Sequence, residues 1–176
     1  HFNLANIVTF FNISCGIFAI YFLTHDEFMG AALFAWLAGA FDIFDGKIAR
    51  KYNLSTEFGI QLDSYADFLS FVIVPAMFIY FAIFDGKESF YNMALIAFVF
   101  IYYVISGLRR LIQFNINANE GEVEKYFTGI PTPLGAILLW VVYLIYLTSY
   151  VNEYFVLGSI IIIGYLLNSK IKIKHL

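Results

Sequence analysis

Residues 41–68 read FDIFDGKIARKYNLSTEFGIQLDSYADF, and they place four aspartates inside segments that are otherwise apolar enough to span a bilayer. Asp42 and Asp45 are three residues apart, and Asp63 and Asp67 are four apart. Both intervals put the two carboxylates of a pair on one face of a helix. Because ionised groups at membrane depth are costly, these residues indicate a function. Two such helices facing each other would form a four-carboxylate site for hard cations.

The composition around this stretch is that of an integral membrane protein. Of the 176 residues, 61% are hydrophobic, 20% aromatic and only 13% charged, whereas ordinary soluble domains carry about 25% charged residues. A membrane span needs about 20 mostly apolar residues. The sequence therefore predicts an all-α polytopic helical bundle, with one domain over residues 1–176 and about six transmembrane helices. The predicted spans are 3–24, 28–50, 57–84, 90–114, 132–149 and 153–168.

The positive charges divide unequally between the two sides of this bundle. Nine of the ten Lys and Arg residues fall at one side, and Lys87 alone falls at the other. By the positive-inside rule, the side with nine cations is cytoplasmic. This predicts a protein of the cell membrane whose termini, aspartate pairs and 110–131 loop face the cytoplasm. The single cysteine, Cys15, lies inside the first span and indicates a small buried residue without a disulfide partner.

The aspartates belong to a longer pattern with eight residue identities at defined intervals. The pattern is Asp42-x2-Asp45-Gly46-x2-Ala49-Arg50-x8-Gly59-x3-Asp63-x3-Asp67. It resembles the signature of the CDP-alcohol phosphotransferase family at all eight positions. The resemblance implies the fold of that family and transfer of a phospholipid moiety from a CDP-linked donor to an alcohol, with release of CMP. It also implies that Asp67 is the general base and that the protein is a homodimer.

Four carboxylates suit two divalent metal ions. Mg²⁺ and Mn²⁺ prefer oxygen ligands, and a pair of such ions can stabilise both the attacking and the leaving oxygen of an in-line displacement. With Asp67 as the base that the resemblance implies, we expect Asp42, Asp45 and Asp63 to bind the metal chiefly and Asp67 to share in ligation. Salt bridges are the alternative explanation, but too few cations lie at the right depth to neutralise four carboxylates.

The remaining motif residues fit a nucleotide diphosphate. Arg50 lies about two helical turns after Asp42, which suits a guanidinium that grips a phosphate. The two glycines and the alanine leave room for a nucleotide near the backbone. Polar residues of the first span are expected to hydrogen-bond the cytidine or the diphosphate, although Thr9 can also bond within its own helix. The residues expected to bind the CDP-lipid are Thr9, Asn12, Gly46, Ala49, Arg50 and Gly59.

The acceptor alcohol must be inferred from other segments. GLRRLIQFN at 107–115 and FTGIPTPLGA at 127–136 resemble the phosphatidylserine synthase branch of the family, and Ile112 and Gln113 depart from its usual smaller residues. L-Serine carries a carboxylate that an arginine can bind. The arginine pair can alternatively anchor the fourth span at the cytoplasmic surface. The expected serine contacts are Arg109, Arg110, Asn115, Pro131 and Thr132.

The leading hypothesis is transfer of a phosphatidyl group, or its ether-lipid equivalent, from a CDP-lipid such as CDP-diacylglycerol to L-serine. A second hypothesis keeps the family and changes the acceptor to glycerol 3-phosphate or inositol phosphate. A third is a divalent-cation channel or carrier that uses the aspartates for selectivity. A channel predicts acidic residues along a continuous path, whereas all four aspartates cluster towards one side.

Overall fold

Helices make up nearly all of the regular structure in this computed structural model, which describes residues 3–52, 54, 56–86, 90–119, 126–169 and 172–174. The chain divides into two compact units, His1–Ala82 and Ile83–Leu176. The all-α architecture predicted from the sequence is confirmed. One short antiparallel ladder was not predicted, and it pairs two strands of three residues each.

The first unit is built from α1 (Leu4–Leu23), α2 (Phe28–Tyr52) and a long third rod. The rod begins as α3 (Glu57–Asp67), continues through a π-helical segment (Phe68–Ile73) and resumes as α4 (Val74–Ile79). A second π-helical segment, Tyr80–Phe84, ends it.

The second unit contains α5 (Phe90–Asn119), α6 (Thr132–Leu147) and α7 (Glu153–Leu167). Strand β1 (Tyr126–Thr128) precedes α6 and pairs with β2 (Lys172–Lys174).

Four stretches are long and apolar enough to cross a membrane, namely Leu4–Leu23, Phe28–Tyr52, Glu57–Phe84 and Asn92–Asn117. The apolar helices Thr132–Leu147 and Glu153–Leu167 are shorter. The six predicted spans thus correspond to helical stretches of the structure, and the largest difference is at the end of α5, which runs to Asn119 instead of residue 114.

Helices α1 and α2 pack closely because small residues lie between them. Ala19, Ala31 and Ala38 are completely buried. A Cβ atom on Gly30 would come within 2.8 Å of the Phe22 ring, so this glycine gives the ring its space. Small residues are the usual means of close helix contact in membranes, where apolar side chains gain little by leaving lipid. This contact brings the polar faces of α1 and α2 together.

The start of α3 is tied to the start of α1 by polar side chains. The Asn3 Nδ2 donates to the carbonyl oxygen of Leu54 at 2.9 Å, and the Asn3 Oδ1 caps α1 by accepting from the Asn6 N–H at 2.9 Å. Thr56 caps α3 in the same way, because its Oγ1 accepts from the Gly59 N–H at 3.0 Å. These caps satisfy N–H groups that the first helical turn leaves without a partner. The hydrogen bond from Asn3 to Leu54 holds the entry to α3 beside α1.

Candidate active site

Three aspartates from two helices converge in the first unit. Asp42 lies on α2, Asp63 and Asp67 lie on α3, and one carboxylate oxygen from each lies within 4.8 Å of those of the other two. The four-residue interval of Asp63 and Asp67 puts them on one helix face, as expected. Three carboxylates this close repel one another unless protons or cations lie between them. The arrangement therefore has the chemistry of a cation site.

The buried oxygens of the neighbouring carboxylates test whether a metal ion fits. Both oxygens of Asp45 and the Oδ1 of Asp67 are buried, and they have no hydrogen-bond partner within the part of the chain that the structure describes. An unpaired buried carboxylate is costly, and a bound cation removes that cost. A donor set made only of carboxylate oxygens suits hard divalent cations. The residues present therefore fit a divalent metal ion.

A cavity of about 170 Å³ adjoins this cluster. Asp63 belongs to both, since it lines the cavity and takes part in the carboxylate triad. Asp45 is only 3% exposed and lies in the cavity wall, whereas the triad consists of the other three aspartates. The structure thus brings nearly all the motif residues together around one space. The predicted site residues that line the cavity are Thr9, Asp45, Gly46, Ala49, Arg50, Gly59 and Asp63.

The guanidinium group of Arg50 lies close to Gly46, one helical turn earlier in α2. A Cβ atom on Gly46 would lie 3.7 Å from the Nη1 and 3.8 Å from the Nη2 of Arg50. The Arg50 side chain itself is exposed at the end of α2. A guanidinium beside an open cavity is well suited to bind phosphate oxygens through two parallel hydrogen bonds.

Gly59 also makes close contacts with side chains of the protein itself. A Cβ atom there would lie 2.8 Å from the Asn6 Oδ1 and 3.1 Å from the Thr56 Oγ1. The sequence interpretation explained this glycine by space for a nucleotide alone. The structure adds a second reason, because Asn6 and Thr56 also line the cavity and approach the backbone of α3.

The two polar residues predicted on α1 differ in their surroundings. Thr9 lines the cavity, and its Oγ1 also donates to the carbonyl oxygen of Ala5 at 3.1 Å, which is the intrahelical alternative. Asn12 is completely buried and is not among the described residues that line the cavity. Its Nδ2 donates to the Asp42 Oδ1 at 3.3 Å, and its Oδ1 accepts from the Ser70 Oγ at 2.5 Å. Direct contact of Asn12 with a CDP-lipid is not what this geometry favours.

The five residues predicted to bind serine all lie in the second unit. Arg110 is 6% exposed, and its Nε donates to the carbonyl oxygen of Ile130 at 3.1 Å. Pro131 caps α6, and Thr132 is buried in the first turn of that helix. Arg109 is exposed and Asn115 is half-buried. The structure thus places Arg110 against the turn before α6, at the predicted FTGIP segment.

That turn depends on Gly129. Its φ is +82°, and an added Cβ atom would come within 2.6 Å of the carbonyl oxygen of Leu167. The next N–H, that of Ile130, donates to the carbonyl oxygen of Leu166 at 3.1 Å. Only glycine adopts this conformation at such a close approach without strain. The turn and the end of α7 therefore form one packed structure.

Three polar residues near the cluster were missed in the sequence, namely Asn6, Thr56 and Ser70. Asn6 had a signal, because it lies three residues before Thr9 and so shares its helix face. Thr56 had one as well, since a threonine before a helix is a common N-cap. Ser70 had one too, because it lies three residues after Asp67, although it falls in a π-helical segment, whose register departs from that of an α-helix.

Comparison with known proteins agrees with this geometry. The family described as CDP-alcohol phosphatidyltransferase matches residues 2–167. A CDP-diacylglycerol–serine O-phosphatidyltransferase of Bacillus subtilis is 31% identical over 170 residues, which cover 96% of this chain and 88% of that protein. One of Methanocaldococcus jannaschii is 33% identical over 170 residues, with 96% of this chain and 72% of that protein covered.

An archaetidylserine synthase of Methanothermobacter thermautotrophicus is 31% identical over 152 residues, covering 85% of this chain and 60% of that protein. The family resemblance carried by the eight-residue motif, and the resemblance of residues 107–115 and 127–136 to its phosphatidylserine synthase branch, are confirmed by these matches. The chain is a member of the CDP-alcohol phosphatidyltransferase family.

Proposed function

We propose that this protein transfers a phosphatidyl group, or its ether-lipid equivalent, from a CDP-lipid to the hydroxyl group of L-serine, forming phosphatidylserine or its analogue and releasing CMP. The observation that carries the proposal is the carboxylate triad beside a cavity lined by the motif residues. Relatives from bacteria and archaea are named as serine phosphatidyltransferases or as an archaetidylserine synthase, which supports serine as the acceptor.

Asp42, Asp63 and Asp67 would hold a divalent metal ion, and the buried Asp45, whose oxygens have no hydrogen-bond partner among the described residues, would contribute to a second one. We propose Mg²⁺ or Mn²⁺, with two ions bound, since four carboxylates suit that charge. When bound, such ions stabilise negative charge on the diphosphate oxygens.

The cavity beside the triad is the proposed site of the CDP group. Gly46, Ala49 and Gly59 leave space in this cavity because their side chains are absent or small. The Arg50 guanidinium would hold a phosphate of the CDP group. Thr9 offers a hydroxyl to the same space. Holding the diphosphate in one orientation lowers the entropic cost of the displacement that follows.

Asp67 is the proposed general base. Its carboxylate would take the proton of the serine hydroxyl while that oxygen attacks the lipid-linked phosphorus. A new phosphorus–oxygen bond forms to serine, the bond between that phosphorus and the CMP oxygen breaks, and CMP leaves with the electron pair. The proposed contacts for serine remain Arg109, Arg110, Asn115, Pro131 and Thr132. Of these, the exposed Arg109 is the first candidate for the serine carboxylate, because the Arg110 Nε already holds the carbonyl oxygen of Ile130.

We further propose that residues 1–176 act as one domain, that the protein lies in the cell membrane with its site facing the cytoplasm, and that it works as a homodimer. The distribution of Lys and Arg supports the orientation. Family membership supports the homodimer.

The decisive experiment is an assay of CMP release by the full chain in detergent or nanodiscs. CDP-diacylglycerol and its ether-lipid analogue serve as donors, and L-serine, glycerol 3-phosphate and inositol phosphate serve as acceptors. We expect CMP release with serine and Mg²⁺ or Mn²⁺, and none after chelation by EDTA. CMP release with another acceptor alone would retain the family chemistry and refute the serine assignment. Metal flux into proteoliposomes without CMP release would instead indicate a channel or carrier.

A further inference from the structure

Asn12 joins the two helical elements that carry the carboxylate triad. Its side chain is completely buried between Asp42 of α2 and Ser70 of the π-helical segment. The Nδ2 donates to the Asp42 Oδ1 at 3.3 Å, and the Oδ1 accepts from the Ser70 Oγ at 2.5 Å. Ser70 is 3% exposed. One amide therefore connects a metal-binding carboxylate to the helix that follows Asp67.

Asp42 sets which end of the Asn12 amide faces it, and Ser70 holds the opposite end. The nitrogen and oxygen ends of an asparagine amide are nearly equal in size, and only the nitrogen end donates. An ionised carboxylate accepts hydrogen bonds and does not donate them. The nitrogen end therefore faces the Asp42 carboxylate, and the oxygen end accepts from Ser70. A reversed amide would bring two acceptors together at Asp42 and lose that hydrogen bond, although the Ser70 hydroxyl could still accept from the nitrogen end.

Ser70 lies in the π-helical segment that begins directly after Asp67. This segment packs against Gly16 of α1, where an added Cβ atom would lie 2.9 Å from Leu69 Cδ2 and 3.5 Å from Ser70 Oγ. A π-helical turn changes the face on which the following residues lie, and such turns are frequent at functional sites. Here the Ser70 hydroxyl lies against Asn12, and Gly16 leaves room for the neighbouring Leu69 side chain.

We propose that Asn12 and Ser70 are positioning residues, which orient the Asp42 carboxylate for metal binding. This inference rests on the proposed function, because it takes the triad as the metal site. Neither residue is among the described residues that line the nucleotide cavity. Their effect is therefore on the metal ligand, and the CDP-lipid is not their direct partner.

Hydrogen-bond partners of metal ligands typically change metal affinity by about 10- to 100-fold when they are removed. We expect Ser70→Ala to raise the dissociation constant for Mn²⁺ about tenfold, because Asn12 then loses the hydrogen bond that holds its oxygen end and keeps its nitrogen end on Asp42. Asn12→Leu keeps a similar volume, removes the donor to Asp42, and should raise this constant at least as much. If Ser70 acts through Asn12, adding Ser70→Ala to Asn12→Leu has no further effect, and the two substitutions are not additive.

The test is a Mn²⁺ titration of the full chain in detergent. Binding is monitored by electron paramagnetic resonance, with no CDP-lipid and no acceptor alcohol present. The Mn²⁺ dependence of CMP release provides a second readout, with a higher half-saturating concentration and a recovered kcat at saturating metal expected for Ser70→Ala. Ser14→Ala is the matched control, since the exposed Ser14 Oγ donates only within its helix, to the carbonyl oxygen of Phe10 at 2.8 Å. Thermal unfolding checks that each variant is folded.

A tenfold loss of Mn²⁺ affinity in Ser70→Ala, with Ser14→Ala unchanged and the double variant no weaker than Asn12→Leu, would support the inference. Wild-type Mn²⁺ binding by folded Ser70→Ala would overturn it, and so would additive losses in the double variant. Ser70→Ala removes a single oxygen atom and decides the question even if Asn12→Leu does not fold. Because the titration contains no acceptor, a negative serine assay leaves this result interpretable.

Discussion

Replacing Gly59 by alanine tests whether helix propensity or the packing of the cavity wall decides the residue at this position. In the interior of a helix, alanine is favoured over glycine by about 1 kcal/mol, so a substitution judged by propensity alone should be harmless. At Gly59 the added Cβ atom lies 2.8 Å from the Asn6 Oδ1, where ordinary contact begins at 3.4 Å, so that oxygen must move by about 0.6 Å. The Thr56 Oγ1, at 3.1 Å, must move as well.

Both displaced side chains line the cavity proposed for the CDP group, and Thr56 also caps α3. Overpacking of this kind costs about 1–3 kcal/mol. If the cost falls on CDP-lipid binding, KM should rise about 5- to 150-fold, since 1.4 kcal/mol corresponds to a factor of ten. The effect on kcat should be smaller, because the carboxylate triad does not include Gly59.

The assay is CMP release at varied CDP-lipid concentration, together with thermal unfolding of the same preparation. Gly158→Ala is the matched control, because Gly158 lies within α7 and an added Cβ atom would have no neighbour within 4 Å. It should keep the wild-type KM and gain a little stability. A folded Gly59→Ala with wild-type KM would refute the view that Asn6, Thr56 and Gly59 shape the CDP site.

Asp67→Asn removes the proposed base at nearly constant volume, so kcat at saturating Mn²⁺ should fall about 10²–10⁴-fold. CDP binding, measured by calorimetry, should persist. A wild-type kcat would exclude Asp67 as the general base. Gly129→Ala and Gly86→Ala share the cost of a positive φ, but Gly86 has open space around its Cβ position whereas Gly129 meets a backbone oxygen at 2.6 Å. We expect Gly129→Ala to lose about 1–3 kcal/mol more, or about 2–4 °C of Tm per kcal/mol, and equal losses would contradict the proposed packing. In a variant without the native cysteine, Lys51→Cys should react with an impermeant maleimide only in inverted vesicles. Tyr150→Cys should react only in right-side-out vesicles, as the charge asymmetry predicts. The reverse pattern would show that the site faces away from the cytoplasm.

The helical spans could be predicted because hydrophobicity and chain punctuation are local properties. The helix at Leu4–Leu23 and the rod at Glu57–Phe84 correspond closely to the predicted spans 3–24 and 57–84. The π-helical segments could not be predicted in this way. Their register depends on packing against another helix, as Leu69 and Ser70 pack against Gly16, and that contact joins residues more than fifty positions apart.

Within the site, the spacing of residues along one helix could be used for prediction, whereas the contacts between helices could not be predicted from the sequence. The interval between Asp63 and Asp67 predicted a shared face, which the structure shows. The sequence interpretation treated Asp42, Asp45 and Asp63 alike as metal ligands, whereas in the structure Asp45 lies in the cavity wall, outside the triad. Asn12 was expected to bind the nucleotide, but its side chain faces Asp42 and Ser70.

The sequence by itself determined that this is a membrane-embedded helical protein of one transferase family, because hydropathy and an eight-residue pattern are read directly from the order of the residues. Only the tertiary structure decided which carboxylates converge and which residues support them. The physical reason is that the approach of α1, α2 and α3 depends on buried small residues and on a hydrogen bond between distant segments, from Asn3 to Leu54. Such contacts fix the rotation of each helix about its axis, and that rotation selects the side chains that meet.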